Sequence, residues 1–287
     1  MEMKLSVNVA SCIKCGKCVK VCPSKIFHQE SVGKEINLIN PENCILCGHC
    51  VAVCPTSSVI HSDFPEGTVH PIDFSLLPTP EQMMLLCKAR RSNRAFSTTP
   101  VPSEMLEQIL EAAHRAPTAS NQQNVSFTLV TSPDKLRQIS EFTIGKFVSI
   151  KKKLTNPFVK ILLKPLAPEL FSYVPVVERL AREYAEGRDL ILRGATAVIL
   201  IHTPEESRFG CQDANLAYQN GSLMAECLGV SQFYTGFVCS AIQQDKERRL
   251  AKLLGVKGRI HAGMALGMPV FRYPNYIDRK EIVVEHL

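Results

Sequence analysis

The chain has 287 residues, a length that suits two domains, and 45% of them are hydrophobic, enough to build a sizeable core in the larger part. The apolar run Ala197 to Ile201 falls far short of a bilayer span, which excludes a membrane-spanning helix. Thirty-three Lys and Arg against 27 Asp and Glu leave a net charge of +6, a mild excess that a solvated surface and anion-holding arginines explain better than a nucleic acid or acidic partner.

The first residues, MEMKLSVNVAS, lack the apolar centre of a signal peptide, so the expected compartment is the reducing cytoplasm and the expected fate of the 12 cysteines is not disulfides. Eight of them form two runs. Cys12, Cys15, Cys18 and Cys22 precede Pro23; Cys44, Cys47, Cys50 and Cys54 precede Pro55. Both runs read C-x2-C-x2-C-x3-C-P, the spacing that holds two iron–sulfur clusters. Three thiolates wrap one cubane, and the fourth comes from the opposite run. The expected ligands are therefore Cys12, Cys15, Cys18 and Cys54 for one [4Fe-4S] cluster, and Cys44, Cys47, Cys50 and Cys22 for the other. Structural zinc is the rival chemistry for C-x2-C pairs, and two four-cysteine runs with trailing prolines fit it poorly. The copies CIKCGKCVKVCP and CILCGHCVAVCP imply a pseudo-twofold domain, in which Gly16 and Gly48 permit a tight backbone. His49, where the first copy has Lys17, is expected at the surface. Ile36 to Ile39 reads as a short strand between the copies. Residues 1–61 make the predicted two-cluster domain, stapled by its clusters because its core is small.

Residues 62–80 read as a linker punctuated by Pro65, Pro71, Pro78 and Pro80. Residues 81–287 form the predicted second domain. Thr79, Pro80 and Gln82 mark a helix start with a capping box. Leu106, Ile109, Leu110 and Ala113 share a helical face. Ser126 to Thr131 reads as a strand, and Ser132-Pro133-Asp134 opens another helix. Residues 142–187 are irregular. Lysines 146, 151, 152, 153, 160 and 164 alternate there with apolar residues, a pattern of a lid or dimer arm. Pro157 and Pro165 interrupt the segment and weigh against a membrane-surface helix, and apolar residues at helical spacing point to core. Ala195 to His202 is a buried strand. A long helix opened by Asp213 runs to Leu228 and ends at Gly229. Phe233 to Val238 is a strand, Ser240 caps a charged helix ended by Gly255, and Ile260 to Leu266 is the last strand. The fold class is α+β, a small ferredoxin-like domain before an α/β sandwich.

Arg90, Arg91 and Arg94 with Ser92 lie within five residues and can chelate a phosphate, or form a solvated basic patch. The stretch RRSNRAFSTTPVPSEMLEQILEAAHRAPTASNQQ resembles the opening of the nitroreductase family of FMN flavoproteins: an Arg-rich RRS-x-R segment, a helix, then an AP-[ST]-x-x-N-x-Q turn. DANLAYQNGSLMAECLGVSQFYTG, AGMALGMP and Asp278-Arg279-Lys280 resemble its long central helix, final strand and closing basic pair. With the cysteine runs, the chain resembles a ferredoxin–nitroreductase fusion. The resemblance implies that Arg90, Arg91, Ser92 and Arg94 bind the FMN phosphate side, with Arg279 and Lys280 as late contacts. It implies that Pro117, Thr118, Ala119, Asn121 and Gln123 reach the flavin of a homodimer partner, and that Thr235, Gly236 and Phe237 face the flavin N5. Two departures bear on the acceptor pocket: Asn124 and Val125 follow Gln123 where the family has Pro-Trp, and Tyr234-Thr235-Gly236 stands where Pro-Glu-Gly is common.

The expected activity is an FMN-dependent oxidoreductase that passes electrons between its clusters and FMN to reduce a small nitroaromatic or quinone, with no protein acid–base residue assigned. The expected donor is reduced ferredoxin or another low-potential carrier. Alternatives are a non-catalytic electron-transfer or redox-sensing flavoprotein, and an NAD(P)H-dependent reductase that uses the clusters as an outlet. No G-x-G-x-x-G after a strand and no Walker loop is present, so no dedicated dinucleotide domain is expected. No basic stripe or recognition helix points to nucleic acid. Of the four remaining cysteines, Cys227 reads as a small core residue, and Cys87, Cys211 and Cys239 have no assigned role; His114 and His261 have no partner motif.

Overall fold

The computed structural model describes residues 4–287. Its contacts divide into two compact units: one runs to Leu77 and includes Ala119–Gln122, and the other comprises Pro78–Thr118 and Gln123–Leu287.

In the first unit β1 (Leu5–Val7) pairs antiparallel with β4 (Val59–His61), and β2 (Phe27–His28) with β3 (Asn37–Leu38). Two short helices, α1 (Lys17–Val21) and α2 (His49–Ala52), each follow a cysteine loop. The sequence repeat is written into the backbone. Lys14 and Leu46 (φ 55° and 53°), Gly16 and Gly48 (both 71°), and Lys25 and Ser57 (50° and 51°) occupy matching left-handed positions. Such steps curl each loop so that successive thiols and amides face one point. Cys18 and Cys50 are buried with Ile26, Phe27 and Val59, so the cysteines themselves supply part of a small core.

The second unit opens with α3 (Pro80–Ala89), whose Thr79–Gln82 capping box forms as expected, and α4 (Ser103–His114). Its sheet comprises β5 (Ser126–Val130), β6 (Ala197–Thr203), β7 (Ser231–Tyr234) and β8 (Arg259–Gly267), in the order β5-β6-β8-β7 with antiparallel neighbours. Helices cover both faces. Ala197, Ile199 and Ile201 join the cluster that holds α4 and α9 (Gly210–Cys227); Val198 and Leu200 join the cluster that holds α5 (Pro133–Leu154). This two-sided burial is why β6 reads as an unbroken apolar run rather than an alternation. A bulge opposite Ile201 and His202 flips the pleat, so Ile260 and Ala262 serve opposite faces. In α9 the small residues Ala214, Ala217, Gly221 and Ala225 let the helix lie close; a Cβ on Gly221 would stand 3.2 Å from Met264 and 3.3 Å from Ala113.

Several expectations need correction. The strand over Phe233 to Val238 ends at Tyr234, and Gly236 begins α10 (Gly236–Gln243), so Ser240 lies within that helix and caps nothing. The charged helix is α11 (Arg249–Leu254), and Gly255 ends it in the left-handed conformation. The central helix starts at Gly210, which places Asp213 buried in its first turn rather than at its cap. Cys227 is exposed on its last turn, not in the core. The stretch from 142 to 187 is regular: it finishes α5 and forms α6 (Pro157–Leu163), α7 (Pro168–Ser172) and α8 (Val174–Ala185). Pro157, Pro168 and Pro175 fall in the first turns of these helices, where a proline costs no hydrogen bond, whereas Pro165 lies in the turn after α6 and does interrupt the segment. On α6 and the turn after it, Phe158 is 85% exposed, Ile161 77%, Leu162 69% and Leu166 77%, so helical spacing there does not mean core. No helix among the described residues is long and apolar enough to cross a membrane.

Candidate redox site

The cysteine loops place their thiols in two groups. Cys12 and Cys15 stand close enough to Cys18 for their charges, after burial, to push its thiol above the ordinary value. Cys50 is pushed to about 11, first by burial and then by Cys44, Cys47 and Cys22. Cys22 thus stands with the second run's thiols, and it lines a small apolar cavity with Cys44, Cys47, Cys50, Ile26 and Phe27. No three His, Cys, Asp or Glu side chains among the described residues converge closely enough for a single ion. The Ile26 amide donates to Cys22 Sγ (3.4 Å), and the Ser58 amide donates to Cys54 Sγ (3.2 Å) at the matching position of the repeat. Burial raises the Cys54 thiol, but amide and hydroxyl bonds from Thr56, Val59 and Ser58 outweigh it and hold the value below normal. Clustered thiols that resist ionisation for want of positive charge suit iron, which binds them deprotonated.

In the second unit the RRSNR segment leaves α3 and lies along the edge strand β7, where Ser92 bridges Gln232. Asn93 pins it: its buried amide donates to Ser231 Oγ (2.8 Å) and Phe271 O (3.0 Å), and its Oδ1 accepts from the Ala95 amide (3.0 Å). Gln232, held by the Tyr218 hydroxyl (2.7 Å), donates to Arg91 O (3.4 Å). Arg90 and Arg94 lie near Tyr218, whose hydroxyl burial pushes to about 12 against their charge. Arg94 also lies 5.4 Å from the Phe233 ring centroid. Arg91 rests 5.5 Å over Tyr273, and its buried Nε has no hydrogen-bond partner among the described residues. Glu226 accepts from the Arg91 amide and faces Arg90 and Arg272; burial nevertheless keeps its carboxyl above the usual range. Arg193, in a left-handed turn, is lowered first by burial and then by the cations of Arg94 and Arg179, with Asp189 opposing. Like charges gathered with so little counter-charge fit a dianionic phosphate.

The remaining candidates are dispersed. Thr235 is buried, its amide donating to Gly263 O (2.9 Å), and Gly236 is exposed at the start of α10. Phe237 meets Phe147 edge-on at 6.0 Å. A cavity of about 450 Å³ opens between α5, α8 and α10, walled by Phe147, Val177, Leu180 and Phe237. Pro117 and Thr118 precede a tight turn in which the Thr118 hydroxyl accepts from the Gln123 amide (2.9 Å). Ala119 and Asn121 belong to the first unit, where Asn121 donates to the carbonyls of Ile45 (3.3 Å) and Leu46 (2.8 Å). Arg279 and Lys280 lie in an exposed tail and make no hydrogen bond or ion pair among the described residues. Sequence reading missed Asn93, Arg179 and Arg193. Asn93 sits inside the quoted motif and was legible there; Arg179 and Arg193 carry no local signal, because only folding brings them toward Arg94.

Two groups of thiols and an arginine-lined α+β sandwich define a redox protein with an iron–sulfur segment. Residues 87–268 match the model described as the nitroreductase family, and residues 11–58 match that of a 4Fe-4S dicluster domain. The chain belongs to the nitroreductase family, an FMN-dependent class of oxidoreductase, and carries a dicluster segment before the family domain. A protein of Archaeoglobus fulgidus, provisionally named NADH dehydrogenase/NAD(P)H nitroreductase, is 24% identical over 196 residues, 66% of this chain and 86% of that protein. The crystal structure of a nitroreductase with bound FMN from Bacteroides fragilis covers 71% of this chain and 99% of its own, at 19% identity and a TM-score of 0.52. One from Desulfitobacterium hafniense covers 71% and 98%, at 20% identity and the same TM-score. At these identities the likeness of the solved structures is one of fold.

Proposed function

We propose that this chain is a reductase in which two [4Fe-4S] clusters exchange electrons with bound FMN, and a small organic acceptor of the nitroaromatic or quinone class is reduced. The observation that carries the reading is a single chain joining two groups of clustered thiols to a nitroreductase-family domain with under-compensated arginines. Cys12, Cys15, Cys18 and Cys54 hold one cluster, and Cys44, Cys47, Cys50 and Cys22 the other. Amides of Ile26 and Ser58 stabilise negative charge on the sulfurs of Cys22 and Cys54. Arg90, Arg91, Ser92 and Arg94, with Arg193, hold the FMN phosphate. Thr235, Gly236 and Phe237 present the start of α10 to the flavin, and Pro117, Thr118 and Gln123 line the flavin of the second subunit of a homodimer. Bound FMN supplies the exchange between one-electron and two-electron chemistry. The 450 Å³ cavity walled by Phe237 is of a size that takes a small aromatic acceptor.

The name of the Archaeoglobus fulgidus relative favours a second reading, in which NAD(P)H is the donor and the clusters are an outlet. Anaerobic absorbance titration with NADPH, NADH and reduced ferredoxin separates them. Reduction of the flavin by ferredoxin alone supports the clusters as inlet. Direct bleaching by a pyridine nucleotide supports the second reading, and clusters that never exchange electrons with FMN during turnover refute both.

A further inference from the structure

His61 lies at the end of β4 with its side chain fully buried. Its Nδ1 accepts from the Asp63 amide at 3.1 Å. That bond, nearer than the Asp63 carboxylate oxygen at 3.5 Å from the same nitrogen, occupies the Nδ1 lone pair and so leaves the ring proton on Nε2. Nε2 stands 3.6 Å from Cys44 Sγ, within reach for a donor to sulfur. The Phe64 ring, 4.9 Å from the imidazole, keeps it in place and also covers Gly48 in the same cysteine loop.

The first cysteine run has no imidazole at the equivalent place. The matching position, 32 residues earlier, is Gln29, whose amide donates to the carbonyls of Lys14 (2.9 Å) and Lys34 (2.7 Å) rather than to a thiol. The two halves therefore share backbone geometry and amide bonds but differ in their side-chain neighbours: the second has an imidazole against Cys44, and the first has the Thr56 hydroxyl 3.7 Å from Cys54 Sγ, which has a nearer partner in Ser58 Oγ at 2.7 Å.

We propose that His61 is a positioning residue that raises the reduction potential of the cluster held by Cys44 above that of its partner. A hydrogen bond to a ligating sulfur favours the state with one more negative charge. One electron leaving the first cluster then passes to the second, with no proton transfer required. This proposal rests on the two-cluster reading and deepens it by giving the pair a direction.

The test is EPR-monitored redox titration of the iron-loaded full chain, with iron and sulfide measured first. Wild type is expected to show two resolved midpoints. His61→Phe keeps the ring packing and removes the donor; it is expected to favour the oxidised state of one cluster about ten-fold more, a drop of about 59 mV for one electron. The other midpoint stays unchanged. His61→Gln, which retains an N–H, is expected to recover part of the drop. A chain that assembles no clusters overturns the underlying reading. Loaded protein with a single wild-type midpoint, or with both midpoints unmoved in His61→Phe, overturns this proposal alone. If His61→Phe fails to load, the wild-type midpoints and His61→Gln decide it: a single wild-type midpoint, or both midpoints unmoved in His61→Gln, overturns the proposal.

Discussion

Replacing Asn93 with Ala removes the side chain that ties the RRSNR segment to the sheet edge. Three bonds are lost, to Ser231 Oγ, Phe271 O and the Ala95 amide, at 2.8, 3.0 and 3.0 Å. A typical bond contributes about 1 kcal/mol net, so the simple sum is about 3 kcal/mol. Phe271 is exposed and water can replace its bond, whereas Ser231 is buried and its hydroxyl loses its partner. The expected loss is therefore about 2–3 kcal/mol, read from the urea midpoint of the loaded protein at unchanged slope. Because the same side chain aligns Arg91 and Arg94, FMN retention after gel filtration should fall with it. Asn93→Asp should be no better: a carboxylate oxygen 3.0 Å from the Phe271 carbonyl cannot donate, and a buried charge replaces a neutral amide. A loss below 0.5 kcal/mol in Asn93→Ala, with FMN fully retained, would refute the reasoning that this amide anchors the segment.

Gly263→Ala places a Cβ 2.3 Å from Thr235 Oγ1 and 3.3 Å from Leu200, both in packed surroundings, and should lower stability by about 1–3 kcal/mol in a calorimetric scan. Arg193→Gln should weaken FMN binding about ten-fold, roughly 1.4 kcal/mol, while leaving riboflavin binding unchanged, as measured by fluorescence titration; equal losses for both would remove Arg193 from the phosphate site. Cys54→Ser should halve the iron content and abolish one of the two EPR signals, leaving the cluster of Cys22, Cys44, Cys47 and Cys50 intact. The buried Asp245 carboxylate is opposed by burial yet held below its usual range by bonds from Arg249 (Nε, 3.1 Å) and by Lys146 (3.4 Å). Its contribution is fully present above the unfolded carboxylate value near ~3.9 and is lost as pH falls through the lower folded value. Asp245→Asn should thus cost about 1–2 kcal/mol at pH 7 and nothing in strong acid, as read from denaturation midpoints across pH.

Local chemistry was legible where a short stretch carries its own constraint. Cysteine spacing, the Thr79–Gln82 box and the all-apolar β6 run each depend on residues within a turn or strand, so the sequence alone determined the iron–sulfur repeat, the helix start and the buried strand. The family resemblance likewise rests on contiguous motifs. Position in space was decided only by tertiary structure. The break at Thr235 and the burial of α8 through Leu180 follow from packing against α5 and the sheet, which local patterns do not encode, whereas α6 and α7 start on local signals, Asn156 with Pro157 and Pro168. Arg193 reaches Arg94 across roughly a third of the chain, and His61 reaches Cys44 across a folded loop. Charge and hydrogen bonding act through distance in space, and a linear sequence records only distance along the chain.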